Sequence, residues 1–145
     1  MIAMLKVADI LKTKGKNIFA VLPDSSVYDA LTIMGEKNIG ALMVIENDEL
    51  KGIFSERDYA RKVVLVNRNS RDTMISEIMT TTVITVSPAD SIEHCMELMS
   101  GKKIRHLPVA DNGKVAGLIS ISDVVTAIIE SQKETISYLH NYISQ

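Results

Sequence analysis

The sequence predicts a mixed α/β (α+β) fold built from one βαββα unit used twice and packed with pseudo-two-fold symmetry. Three observations predict it. Residues 18–63 align with 83–128 at a constant offset of 65 and without a gap. Hydrophobic spacing switches between helix and strand periods in the same order in both halves. A Gly-x-x-Ser-x-x-Asp pattern closes the last strand of each half, as Gly52–Asp58 and as Gly117–Asp123.

The elements follow in order. Ile18–Val21 and Val83–Val86 read as short strands, stopped by Pro23 and Pro88. Asp24, Ser25 and Ser26, like Asp90 and Ser91, offer N-cap oxygens. Val27, Ala30, Leu31 and Met34 then recur at helical spacing, as do Ile92, Cys95, Met96 and Met99. Ala41–Ile45 and Leu107–Ala110 are apolar strands, each followed by a polar turn through Asn47 or Asn112. Leu50–Phe54 and Val115–Ile119 are the return strands, and a second helix starts near Ser55 or Ser120. The copies occupy residues 5–66 and 73–131, with a helical extension over 132–145 that includes Tyr138, Leu139 and Tyr142. Upstream, Val7–Leu11 resembles Ile75–Met79, and the first linker carries three extra residues. A single copy exposes too much of its sheet to stand alone, so two copies should pack together around equivalent clefts.

Composition narrows the function classes. Hydrophobic residues are 46% of the 145, enough for a core. Net charge is -2 with no basic run, and there is no Trp, which argues against nucleic acid as a partner. No stretch reaches the roughly 18 apolar residues of a membrane span. The single cysteine, Cys95, permits no internal disulfide and falls on an apolar helix stripe, where core packing explains it. His94, His106 and His140 lack a metal-ligand spacing, and neither a Gly-x-Gly-x-x-Gly nor a Walker loop is present. The expectation is a cytoplasmic protein that is not an enzyme and has no catalytic residues or metal.

The repeated Ser-x-x-Asp carries the chemistry. Free N–H groups at a helix start favour phosphate, a serine hydroxyl adds a hydrogen bond, and a carboxylate one turn on can accept two ribose hydroxyls. The same pattern is a capping box, in which both side chains only satisfy backbone donors. Arg105 and His106 precede the second central strand, where the first copy has Gly40 and Ala41. Arg57 lies inside the first motif, with Ser122 at the matching place in the second. A guanidinium and an imidazole beside a helix start suit phosphate.

With Ser55-Glu-Arg-Asp58 and Ile104-Arg-His-Leu-Pro-Val109, the chain resembles the paired CBS domains (Bateman modules) over residues 5–130. The resemblance implies ribose contacts from Asp58 and Asp123, helped by Ser55 and Ser120. It implies adenine walls of Thr80, Thr81, Thr82, Ile104, Arg105 and His106 for the Asp58 cleft. For the Asp123 cleft the matching positions are Lys16, Asn17, Ile18, Ile39, Gly40 and Ala41. Met43 stands where the second copy has Pro108, a departure that alters the first wall. The Asp58 cleft, richer in cations and hydroxyls, is expected to prefer the phosphorylated ligand. The implied ligands are AMP first, then NAD(H), with ADP and ATP compatible; S-adenosylmethionine ranks lower beside Arg57, Arg105 and His106. The implied role is a regulatory sensor, with a ligand-free interaction domain as the alternative. A homodimer is expected through the second helices, using Tyr59, Val63, Val64, Val66, Val124, Val125, Ile128 and Ile129.

Overall fold

Serine caps and apolar stripes set the helices where the periodicity places them. The computed structural model describes residues 5–15 and 17–143, so the expected site residue Lys16 lies outside the described residues. An N-terminal helix α1 (Val7–Lys14) precedes the first copy. That copy is β1 (Ala20–Val21), α2 (Val27–Lys37), β2 (Ala41–Glu46), β3 (Glu49–Ser55) and α3 (Glu56–Tyr59). A π-helical turn, Ala60–Val64, continues α3, and a short α4 (Ile75–Ile78) lies in the linker. The second copy is α5 (Ile92–Lys102), β4 (His106–Asp111), β5 (Lys114–Ser120) and α6 (Ile121–Ile143).

Ser26 Oγ accepts the Asp29 N–H and Ser91 Oγ accepts the His94 N–H, both at 3.0 Å. These caps start α2 and α5 at equivalent places. Both hairpins turn on residues with positive φ: Asn47 and Asp48 in the first, Asn112 and Gly113 in the second. Helix α6 runs on to Ile143; the side chains of Tyr138 and Tyr142 are outside the described residues.

The chain divides into two compact units. One is Asn17–Ile84 with Gly113–Val115; the other is Met1–Lys16, Thr85–Asn112 and Ala116–Gln145. In the first unit β1 pairs parallel with β2, and β2 antiparallel with β3. The linker docks on its own unit: Val27 N–H donates to Thr73 O at 2.9 Å, and Ser76 N–H to Pro23 O at 2.9 Å. In the second unit the N-terminal segment takes the corresponding place. Ala8 N–H donates to Pro88 O at 3.0 Å and Val7 N–H to Asp90 O at 2.9 Å. The helix that precedes the first repeat therefore packs on the second.

The strand expected over Val83–Val86 shrinks to one parallel bridge, Val86 to Val109. The reason is Pro108. In the first unit the pairing of Ala20 with Met43 uses an N–H at position 43. Proline has none to donate, so the equivalent ladder step is lost. The strand expected over Ile18–Val21 is likewise shorter, Ala20–Val21.

Phe54, Leu42, Val44, Val27 and Ala30 are fully buried together in the core of the first unit. Val63 joins that core at 1% exposure, and Val124 is fully buried in the second unit. These two side chains were expected on an association surface. Val124 directly follows Asp123 and Val63 lies five residues beyond Asp58, so the two occupy different positions on their helices, and both are buried. Val64, Val66, Val125 and Ile129 remain exposed.

Candidate functional site

In the first unit, β3 delivers Ser55 to the start of α3, and the capping box forms. Ser55 N–H and Ser55 Oγ donate to Asp58 Oδ2 at 3.0 and 3.1 Å, while Asp58 N–H donates back to Ser55 Oγ at 3.2 Å. The other carboxylate oxygen, Oδ1, accepts from Thr80 Oγ1 at 3.3 Å and from Lys62 Nζ at 3.1 Å. Lys62 also bonds Ile78 O at 3.0 Å. Asp58 is buried, with both oxygens engaged.

Gly52 explains how Thr80 comes so near. Ile53 and Thr80 exchange N–H···O bonds of 3.0 and 2.9 Å, an isolated antiparallel bridge. A Cβ on Gly52 would meet Thr80 O at 2.8 Å. The glycine of the motif is thus required for the linker to lie against β3. Thr81 and Thr82, the next two expected residues, are exposed.

The second unit repeats the box with different partners. Ser120 N–H donates to Asp123 Oδ2 at 2.8 Å, and Asp123 N–H to Ser120 Oγ at 3.2 Å. Lys14 Nζ reaches the same Oδ2 at 2.7 Å and Leu118 O at 2.7 Å. Burial pushes the Asp123 carboxyl up, but the Lys14 hydrogen bond, the Ser120 N–H and the Lys14 charge outweigh it and hold the group below its ordinary value.

The expected supply of free helix-start N–H groups is corrected by these contacts. Glu56 N–H goes to Gly40 O at 3.1 Å and Ile121 N–H to Arg105 O at 2.9 Å. Asp58 and Asp123 N–H are taken by their serines. Two of the first three amides of each helix are therefore spent on the fold.

The expected residues divide by unit. Ser55, Asp58 and Thr80 are brought into contact, with the Gly40 backbone adjoining the start of α3. Asn17, Ile18, Ile39, Ala41 and Arg57 belong to that same unit; Ile18 is exposed and Ala41 buried. Ser120 and Asp123 are together in the second unit, which also holds Ile104, Arg105, His106 and Ser122. The sequence reading missed both lysines. The Asp58-to-Lys62 spacing of one helical turn was a visible signal. Lys14 left only an indirect one, since it lies in the segment where the first linker is three residues longer than the second.

Among the described residues, no group of three or more His, Cys, Asp or Glu is placed to hold a metal. No described helix is long and apolar enough to cross a membrane. Cys95 is fully buried, and burial, then the Asp90 charge, pushes its thiol up.

Two copies of one strand–helix–hairpin–helix repeat, the first strand of the second reduced to a bridge, each hold a carboxylate at a strand-to-helix turn and define a tandem-repeat protein. The chain belongs to the CBS domain family, whose model matches residues 7–65 and 75–130. It is 38% identical to the mitochondrial CBS domain-containing protein CBSX3 of Arabidopsis thaliana, over 94% of this chain and 71% of that protein. A CBS-domain protein from Burkholderia ambifaria MC40-6 superposes with a TM-score of 0.84 at 50% identity, covering 88% of this chain and 96% of that one. The CBS domain pair of MJ0100, solved with 5′-methylthioadenosine and S-adenosyl-L-methionine, gives 0.76 at 27% identity, covering 87% and 97%. The protein is a CBS domain pair, a regulatory module.

Proposed function

We propose that the protein senses an adenine nucleotide, AMP first and NAD(H) second, and answers by a change of conformation or association. The observation that carries this reading is the pair of half-sheltered or buried carboxylates at equivalent strand-to-helix turns. A carboxylate there can accept the two hydroxyls of a ribose. That the MJ0100 domain pair was solved with two adenosyl ligands supports the ligand class. Binding shifts the protein only as far as the ligand prefers one state.

The Asp58 side is no longer the more inviting one. Both of its oxygens are engaged, whereas the hydrogen bonds on Asp123 from described residues all fall on Oδ2. We therefore reverse the expected order and place the first ligand at Asp123. Arg105 and His106, in the same unit as Asp123, support a phosphorylated ligand there.

We read the protein as regulatory and not catalytic, cytoplasmic, and a homodimer through the exposed Val64, Val125 and Ile129 on its second helices and Val66 in the turn after the first of them. Calorimetry with AMP, ADP, ATP and NAD tests the ligand. Micromolar or tighter binding that Asp123→Ala removes supports a sensor. Absence of binding, with only stability lost in Asp58→Ala and Asp123→Ala, leaves the ligand-free interaction domain. Sedimentation as a monomer would remove the dimer.

A further inference from the structure

Lys14, the last residue of α1, reaches Asp123 from the segment in which the two linkers differ in length. In the first unit the linker main chain at Thr80 pairs with Ile53. In the second, the linker runs on, and the Lys14 side chain takes Leu118 O, the counterpart of Ile53. Gly15, with φ of +93°, turns the chain immediately afterwards. The ammonium has three protons. Two are spent, on Leu118 O and Asp123 Oδ2 at 2.7 Å each. The side chain is 39% exposed, so the ammonium remains accessible to a solute.

Two consequences follow for a ligand whose ribose engages Asp123. The carboxylate is already neutralised, so the site lacks the negative charge that would attract a sulfonium. The third N–H is a charge-assisted donor next to the ribose, where the α6 amides of Ile121 and Asp123 are unable to serve because they are bonded already.

We propose that Lys14 is a specificity-determining residue of the Asp123 site, selecting nucleoside phosphates over uncharged or sulfonium-bearing adenosyl ligands. The proposal rests on the nucleotide reading above and adds to it the charge of the ligand.

The test is calorimetry of the full chain with AMP, adenosine and S-adenosylmethionine at fixed ionic strength, reading the component of binding that Asp123→Ala removes. Wild type is expected to favour AMP over adenosine by about tenfold, the worth of one charge-assisted hydrogen bond. Lys14→Met should reduce that preference by weakening AMP alone, and Lys14→Arg should keep it. Lys14→Gln replaces Lys14→Met if the latter fails to fold. An AMP-to-adenosine ratio unchanged in Lys14→Met overturns the proposal. So does a variant that binds both more tightly, since Lys14 would then only be occupying the carboxylate. If wild type binds none of the three, or Asp123→Ala removes nothing, the nucleotide reading itself falls and takes the proposal with it.

Discussion

Lys62 Nζ lies 3.1 Å from Asp58 Oδ1, one turn along the same chain, and holds Ile78 O at 3.0 Å with another proton. One ammonium thus ties the motif carboxylate to the end of α4. Replacing it with methionine should cost at most about 1 kcal/mol, because the lysine is 43% exposed and water screens the pair. The loss should shrink in high salt. Urea unfolding at two ionic strengths measures it, and an unchanged midpoint at both would show the tie to be idle.

The two motif glycines should respond unequally to alanine. At Gly52 the new Cβ meets the Thr80 carbonyl and the Met79 sulfur, both at 2.8 Å. At Gly117 it meets only the Leu11 Cδ2 atom, the far end of a flexible side chain. Gly52→Ala is expected to lose about 1–3 kcal/mol and Gly117→Ala clearly less. Equal losses in denaturant titrations would contradict the backbone contact as the cause.

Asp123 should make stability fall in acid. Its carboxyl titrates below the unfolded value of about 3.9, so the folded chain binds fewer protons there. The stabilisation is complete above that value and is lost as pH drops through the lower folded one. The stability gap between wild type and Asp123→Asn should therefore be constant near neutrality and close below about pH 4. A gap that widens as pH falls would reverse the sign of the argument.

Phe54 is the largest fully buried side chain in the first unit. Phe54→Ala should cost about 3–5 kcal/mol by lost burial and a residual cavity. Chemical unfolding giving under about 1 kcal/mol would mean that the core collapses around the gap.

Much of the fold was legible because it is local. The α2 and α5 stripes, the serine caps and the asparagine turns act within a few residues, and each lies where its pattern put it. The second motif residues, Ser55 with Asp58 and Ser120 with Asp123, were legible as caps for the same reason, and the structure forms both boxes. The missing strand at Val83–Val86 was legible only in part. Pro108 was visible, but its effect depends on which strand lies opposite. The amides promised to phosphate were misread because Gly40 O and Arg105 O, just ahead of β2 and β4, meet the helix starts only once each hairpin has folded back.

From the sequence alone came the duplication, the order of elements and the two carboxylates, all fixed by short-range periodicity and capping. Which leading segment serves which repeat, and hence that Lys14 meets Asp123 across 109 residues, was decided only in three dimensions. The reason is that α1 and the linker around α4 carry similar apolar faces, so spacing cannot tell one dock from the other. Long-range backbone hydrogen bonds, Ala8 to Pro88 and Ser76 to Pro23, make the assignment.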